Sequence, residues 1–502
     1  MKKLVAVCML FSLILSGVAG VSPKEPFRSS ESKAIGQDQA EKPSEKQKLV
    51  WAFFDFPVEM EVYQNSLNEE LEKKGLPYEI EFASVPASYG DYKTYTSSCV
   101  EEVEKGDYDI ITCPDIINCY DLYTMLADKG ILLPMTELLE KKEAGKKLKE
   151  AYPSVIWESM NYQGEIYGIL TPDTCTNYYA VFHEAYADKY GIDVSQVTFA
   201  SLEKHLRAAR AGENRERNKN FVVSDLLPYC LESLEFSPCG LISIDTDGED
   251  ATAESILCKE EFLTYTKTLG EWAKDGIFPS IYQDWEKEFQ KGNFLVTGTY
   301  AYSPEAAESY CRSTYNIPAE TKLQVVELPE FGKSFYRAGG KTGIKKSSSH
   351  SEEAFEVLAA IYSDEELSNA LVYGKEGVSY RMEEGKAVRL DEYQGAEFHM
   401  RQYLGNPFLT IPGVWDSVSK KEELSERFQT IEIAVRVKVP FDLEGIDAEI
   451  AQLNTLFLDT YSEFFIEKKD MEKALEIIRK GADEIGIEKV LSELNRQLKR
   501  DR

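Results

Sequence analysis

The chain has 502 residues with 57 Lys and Arg against 87 Asp and Glu, a formal net charge of −30, and a hydrophobic share of 43%. That length exceeds one ordinary core and predicts two lobes, while the hydrophobic share is that of a globular protein. The acidity excludes a nucleic-acid partner, because neutralising phosphates requires clustered Lys and Arg.

Lys2-Lys3, the apolar run Leu4 to Leu15 and the small residues Ser16, Gly17, Ala19 and Gly20 form a secretory signal over 1–20. No other stretch approaches the roughly 20 apolar residues that span a bilayer. Residues 21–48, rich in Ser, Glu, Lys, Gln and Pro, predict a flexible tether. Leu49 to Phe54 predicts a first strand, ended by Asp55-Phe56-Pro57; Val58 to Lys74 predicts a helix closed by Gly75, and Tyr78 to Phe82 a second strand. Asp109 to Thr112 is a short β-branched run suited to a buried parallel strand, broken by Pro114-Asp115. Ile116 to Lys129 predicts a helix capped by Gly130, followed by an apolar segment that Pro134 ends. This βαβα alternation predicts a parallel sheet. Further along, 352–360, 365–373, 446–457 and 471–478 carry helical apolar spacing.

Asp55 and Asp115 each follow a strand directly, where open α/β sheets place their ligand crevice. Either can also serve as a helix N-cap for its own backbone. Aromatic rings beside breaker-rich segments can face the same crevice, so Tyr89, Tyr282, Trp285, Tyr302 and Trp415 are candidate ligand platforms. Aromatics of this kind also serve simply as packing. Only His183, His205, His350 and His399 are present, widely separated, and neither Walker glycines nor a GxSxG elbow occurs, so no metal and no cofactor is expected. Asp245 to Asp250 lacks the spacing of a calcium loop and reads as an acidic turn. Nine cysteines include Cys8 in the signal; the remaining thiols admit roughly a hundred pairings, which spacing does not resolve.

Gly106-Asp107, Asp109-Ile110, Lys129-Gly130, Leu133-Pro134 and Leu138-Leu139, with Gly164 to Ile169, Lys189 to Asp193, Trp272 to Gly276 and Phe289 to Gly292, resemble the extracellular solute-binding proteins of ABC importers. Tyr373 to Tyr380, Gly405-Asn406-Pro407-Phe408, Phe441-Asp442 and Leu494 to Leu498 resemble their LipO-type members associated with carbohydrate uptake. The resemblance implies a two-lobe, periplasmic-binding-protein-like (type II) α/β fold with several inter-lobe crossings and a helical C-terminus. It places lobe 1 at 49–171 and 337–385, and lobe 2 at 172–336 and 386–502. Crossings are expected at 170–174, at 335–341 and after Tyr380. It further implies a monomeric, non-enzymatic ligand receptor, binding a carbohydrate between its lobes and partnering ABC permease subunits outside the cytoplasm. The family's lipidated cysteine is replaced by Val18, so a secreted, periplasmic or signal-tethered form is expected.

Tyr167 to Asn177 also resembles the lobe-crossing motif of type I thiaminases, whose cysteine nucleophile and general base would be Cys175 and Glu305. That resemblance is broken by an extra residue before Cys175, another before Glu305, and Ala338 where the motif has aspartate. The binding-protein reading is therefore preferred.

Overall fold

The computed structural model describes residues 46–54, 60–85, 92–113, 122–172, 177–224, 239–245, 252–277, 285–329, 338–390, 403–430, 441, 443, 445–466 and 470–500. In chain order the elements used below are β1 (Gln47–Phe54), α1 (Glu61–Lys73), β2 (Tyr78–Val85), α2 (Tyr92–Lys105), β3 (Ile110–Cys113), α3 (Leu122–Asp128), β4 (Gly168–Pro172), β5 (Asn177–His183) and α4 (Phe199–Arg215). There follow β6 (Val222–Ser224), β7 (Ile242–Asp245), β8 (Thr252–Ser255), α5 (Glu260–Lys274), β9 (Phe294–Ala301), α6 (Pro304–Tyr315), β10 (Leu323–Glu327) and β11 (Ala338–Ile344). The remainder comprises α7 (Ser351–Ser363), α8 (Glu365–Tyr373), β12 (Tyr380–Glu383), β13 (Lys386–Arg389), α9 (Lys420–Thr430), α10 (Asp447–Ile466), α11 (Met471–Ile485) and α12 (Ile487–Arg500).

Two sheets organise the molecule. The first has the order β2-β1-β3-β11-β4. Its β1, β2 and β3 are parallel, as their apolar runs predict, and Leu49, Trp51, Ala52 and Phe53 are buried because helices cover both faces. β11 runs antiparallel to both β3 and β4, because it re-enters this sheet from the other side of the molecule. The strand expected from Asp109 begins one residue later. Asp109 instead uses its carboxylate to accept the Val50 amide at 2.8 Å and the Ser348 hydroxyl at 2.5 Å, stitching β1 to the turn after β11.

The second sheet has the order β10-β5-β9-β6, with β5 antiparallel to β9 and β10. Side chains alternate across β5, and each face has its own core. Tyr178, Ala180 and Phe182 pack with α4, α5 and the fully buried Trp272. Tyr179 and Val181 join the α6 side, whose apolar cluster is continuous with that of the first sheet.

A third core gathers the β7-β8 ribbon with α10, α11 and α12, through Phe457, Leu475, Ile478, Val490 and Leu494. Close approaches make it compact: a Cβ at Gly481 would lie 2.7 Å from Leu456, and one at Gly270 would lie 2.3 Å from Met471. Asn495 on α12 accepts the Ala253 amide at 2.9 Å and donates to the Ala253 carbonyl at 2.8 Å. The four helical periodicities read from sequence fall in α7, α8, α10 and α11, with α8 matching its expected limits and α10 and α11 extending beyond theirs.

Candidate ligand cleft

The chain leaves the first sheet at Pro172, enters the second at Asn177, leaves it at Glu327 and returns at Ala338. By register, the carboxyl ends of β1, β2, β3 and β4 and the start of β11 share one edge of the first sheet. The start of β5, opposite Ala301 at the end of β9, and Glu327, opposite Tyr179, share one edge of the second. These two edges are the ones that the crossings join. In α/β sheets the crevice beyond the strand ends is where ligands sit.

The first-sheet wall is stiffened from within. Trp51 Nε1 donates to Thr112 Oγ1 at 2.8 Å, Thr112 and Thr342 hydroxyls meet at 2.9 Å, and Thr342 meets the Tyr362 hydroxyl at 3.1 Å. This buried chain crosses β1, β3 and β11 and ends on α7, so each polar atom is satisfied away from water. Beside it Lys341, 3% exposed, holds its ammonium 5.6 Å from the ring centre of Tyr123, a cation on an aromatic face.

The second-sheet wall carries a mixed polar cluster. The Asn177 amide donates to Glu327, and the Arg427 guanidinium of α9 donates to the Asn177 oxygen. Burial, followed by the nearby Glu327 carboxylate, pushes the Tyr179 phenol above its ordinary value, with Arg427 opposing. Asn177 and Tyr179 are buried whereas Glu327 is exposed, so this wall presents a held carboxylate to solvent.

Among the residues singled out from sequence, Asp55, Tyr89, Asp115 and Tyr282 lie outside the described residues, as does Cys175. Trp285 opens the short helix Trp285–Gln290. Tyr302 is 4% exposed; its hydroxyl donates to Asp416 Oδ1 at 3.3 Å and accepts the Ser417 amide at 3.1 Å. Trp415 is half-buried, its ring 5.9 Å from that of Tyr310 on α6. Glu305 is exposed in the first turn of α6, where Ser303 caps the helix by accepting the Ala306 amide at 3.0 Å. Asn177 enters the sequence reading only as the last residue of Cys175-Thr176-Asn177. Tyr179, Glu327, Lys341 and Arg427 carried no signal there, because ordinary strand and helix spacing surrounds each.

No family model matches the chain. It is 25% identical over 480 residues, 92% of its own length and 91% of the relative's, to a protein of Streptococcus pneumoniae serotype 4 named carbohydrate ABC transporter substrate-binding protein. Its fold is that of the N-glycan transport solute-binding protein NgtS of Streptococcus pneumoniae, at a TM-score of 0.60 and 19% identity over 91% of this chain and 99% of that one. The Listeria monocytogenes ABC substrate-binding protein Lmo0181, solved with cycloalternan, gives 0.51 at 14% identity, covering 88% and 98%. These are binding proteins and not enzymes, and nothing among them supports the thiaminase-like alternative. Over nearly its whole length the chain is thus similar in sequence to a substrate-binding protein, and its two-lobe α/β fold is the one these solute-binding proteins share.

Proposed function

We propose that the protein is the ligand receptor of an ABC importer and that it binds a carbohydrate or oligosaccharide in the cleft between its lobes. The observation that carries this reading is the 480-residue relationship to a carbohydrate transporter's substrate-binding protein, which spans both lobes and not one shared motif. The cleft chemistry is compatible with it. Carboxylate, amide and guanidinium groups at the crossing edge suit hydroxyl donors and acceptors, and the chain is rich in aromatics. Lobe 1 comprises 49–171 and 337–385, and lobe 2 comprises 172–336 and 386–502. Asp55, Tyr89, Asp115, Tyr282 and Trp285 contact the ligand, and Tyr302 and Trp415 support the wall behind them. The receptor works as a monomer outside the cytoplasm, delivers to permease subunits, and closes on a ligand that favours the closed arrangement.

A thermal-shift screen of oligosaccharides, with thiamine as a control, tests the reading. Stabilisation by at least one sugar is expected, and a flat response to every sugar removes the ligand class. Calorimetry on Asp115→Asn then locates the site. Loss of a charge-assisted hydrogen bond of roughly 1.5–3 kcal/mol weakens binding about tenfold to a hundredfold, whereas an unchanged affinity excludes Asp115.

A further inference from the structure

Residues 403–430 touch both halves of the molecule through groups that are buried or half-buried. Toward the first sheet, the Gly405 carbonyl accepts the Thr171 hydroxyl at 3.0 Å. Asn406, fully buried, donates to the carbonyls of Ala151 at 3.0 Å and Tyr362 at 2.9 Å. The Tyr373 hydroxyl reaches the Ile411 carbonyl at 3.1 Å. Toward the second sheet, Ser313 of α6 donates to the Val414 carbonyl at 2.9 Å, Ser303 donates to Glu423, and Arg427 donates to Asn177. Phe408 lies 5.9 Å from Tyr152 and 5.1 Å from Phe428, and all three share an apolar cluster with Ala306 and Cys311 of α6.

At the middle of the segment stands an ion pair removed from water. Asp416 and Lys420 are 0% and 1% exposed, with 3.5 Å between Oδ2 and Nζ. Lys420 also donates to Thr410 Oγ1 at 2.9 Å, and Asp416 accepts the Gly413 amide at 2.9 Å as well as the Tyr302 hydroxyl. A buried pair of this kind stabilises little relative to apolar packing, but removal of one partner leaves an uncompensated charge. Through Tyr302 the pair ties the end of β9 to Thr410 and Gly413 of the segment.

We propose that residues 403–430 are a strap that locks the two lobes into one cooperative unit, with the buried Asp416–Lys420 pair, closed off by Tyr302, as its pivot. Closure about this pivot rests on the receptor reading; the mechanical coupling does not. Differential scanning calorimetry of the full-length secreted chain without ligand tests the coupling. The wild type unfolds in a single transition, and Lys420→Met splits it into two as the lobes part. Glu213→Gln, which alters a buried carboxylate held by Lys189 and Asn218 within the second lobe, lowers the midpoint without splitting it. Should Lys420→Met fail to fold, Tyr302→Phe removes only a hydroxyl and is expected to broaden the transition towards two. Two transitions in the wild type, or one unbroadened transition in the variant that folds, overturns the proposal. A sugar screen without response would sink the receptor reading and leave this outcome untouched.

Discussion

Tyr302 and Asp416, 114 residues apart in the chain, meet at 3.3 Å where both are buried, and that contact joins the end of β9 in the second sheet to the strap. A phenol hydroxyl donating to a buried carboxylate is worth roughly 1.5–3 kcal/mol when the acceptor cannot turn to water. Tyr302→Phe is therefore expected to destabilise by about that amount, read as an earlier urea midpoint with a shallower slope, the chemical counterpart of its broadened thermal transition. A loss below about 0.5 kcal/mol would show that Asp416 finds another donor.

Gly340 of β11 lies against the strap so closely that an added Cβ would stand 2.3 Å from the Tyr403 carbonyl oxygen and 2.7 Å from its Cα. Both obstacles are backbone, which cannot swing aside as a side chain can. Gly340→Ala is expected to destabilise by about 1–3 kcal/mol or more, despite the usual entropic gain of replacing glycine. Equal stability of variant and wild type would mean that the strap and β11 separate easily.

His183 ends β5 with its ring 5.0 Å from Tyr186 and 5.4 Å from Phe294, both edge-on. Burial lowers its pKa below the ordinary value. The unfolded chain then takes up the proton first, so stability falls as pH drops through roughly 6.5 towards the depressed folded value. Urea midpoints of wild type and His183→Phe, compared between neutral pH and about pH 5, are expected to diverge, with the variant losing less. Parallel pH curves would refute the assignment.

Cys258 is exposed and carries a free thiol, whereas Cys239 is 2% exposed and burial pushes its thiol up to about 12. Thiolate character and access govern alkylation. Brief maleimide treatment of the native protein, followed by peptide mapping, is expected to mark Cys258 and to leave Cys239 untouched until denaturant is added. Native labelling of Cys239 would show that the ribbon core opens readily.

Individual elements were legible because β1 and β2 are compact apolar runs stopped by breakers, and because α8 begins at a capping aspartate, Asp364, and ends at Gly374 with φ of 79°. The antiparallel insertion of β11 was not. Nothing local in Ala338-Gly339-Gly340-Lys341 states which neighbours a returning strand will find. The polar wall escaped for the same reason: Arg427 sits in the charged helix KKEELSERFQT, and its partner Asn177 is 250 residues away. Helical spacing identifies the face of α9 but not what stands opposite it. The crossings were expected from the resemblance at 170–174 and 335–341, and the sheets are left at Pro172 and re-entered at Ala338.

The two hydrogen bonds between Asn495 and Ala253 give α12 a role at the edge of the β7-β8 ribbon. A ribbon of two strands has open edges, and an open edge invites pairing with any other extended chain. Here the amide of one side chain imitates a neighbouring strand and occupies both backbone groups of Ala253. With both groups taken, the ribbon offers nothing at Ala253 to an incoming strand, and one side chain of α12 guards an edge that backbone pairing leaves open.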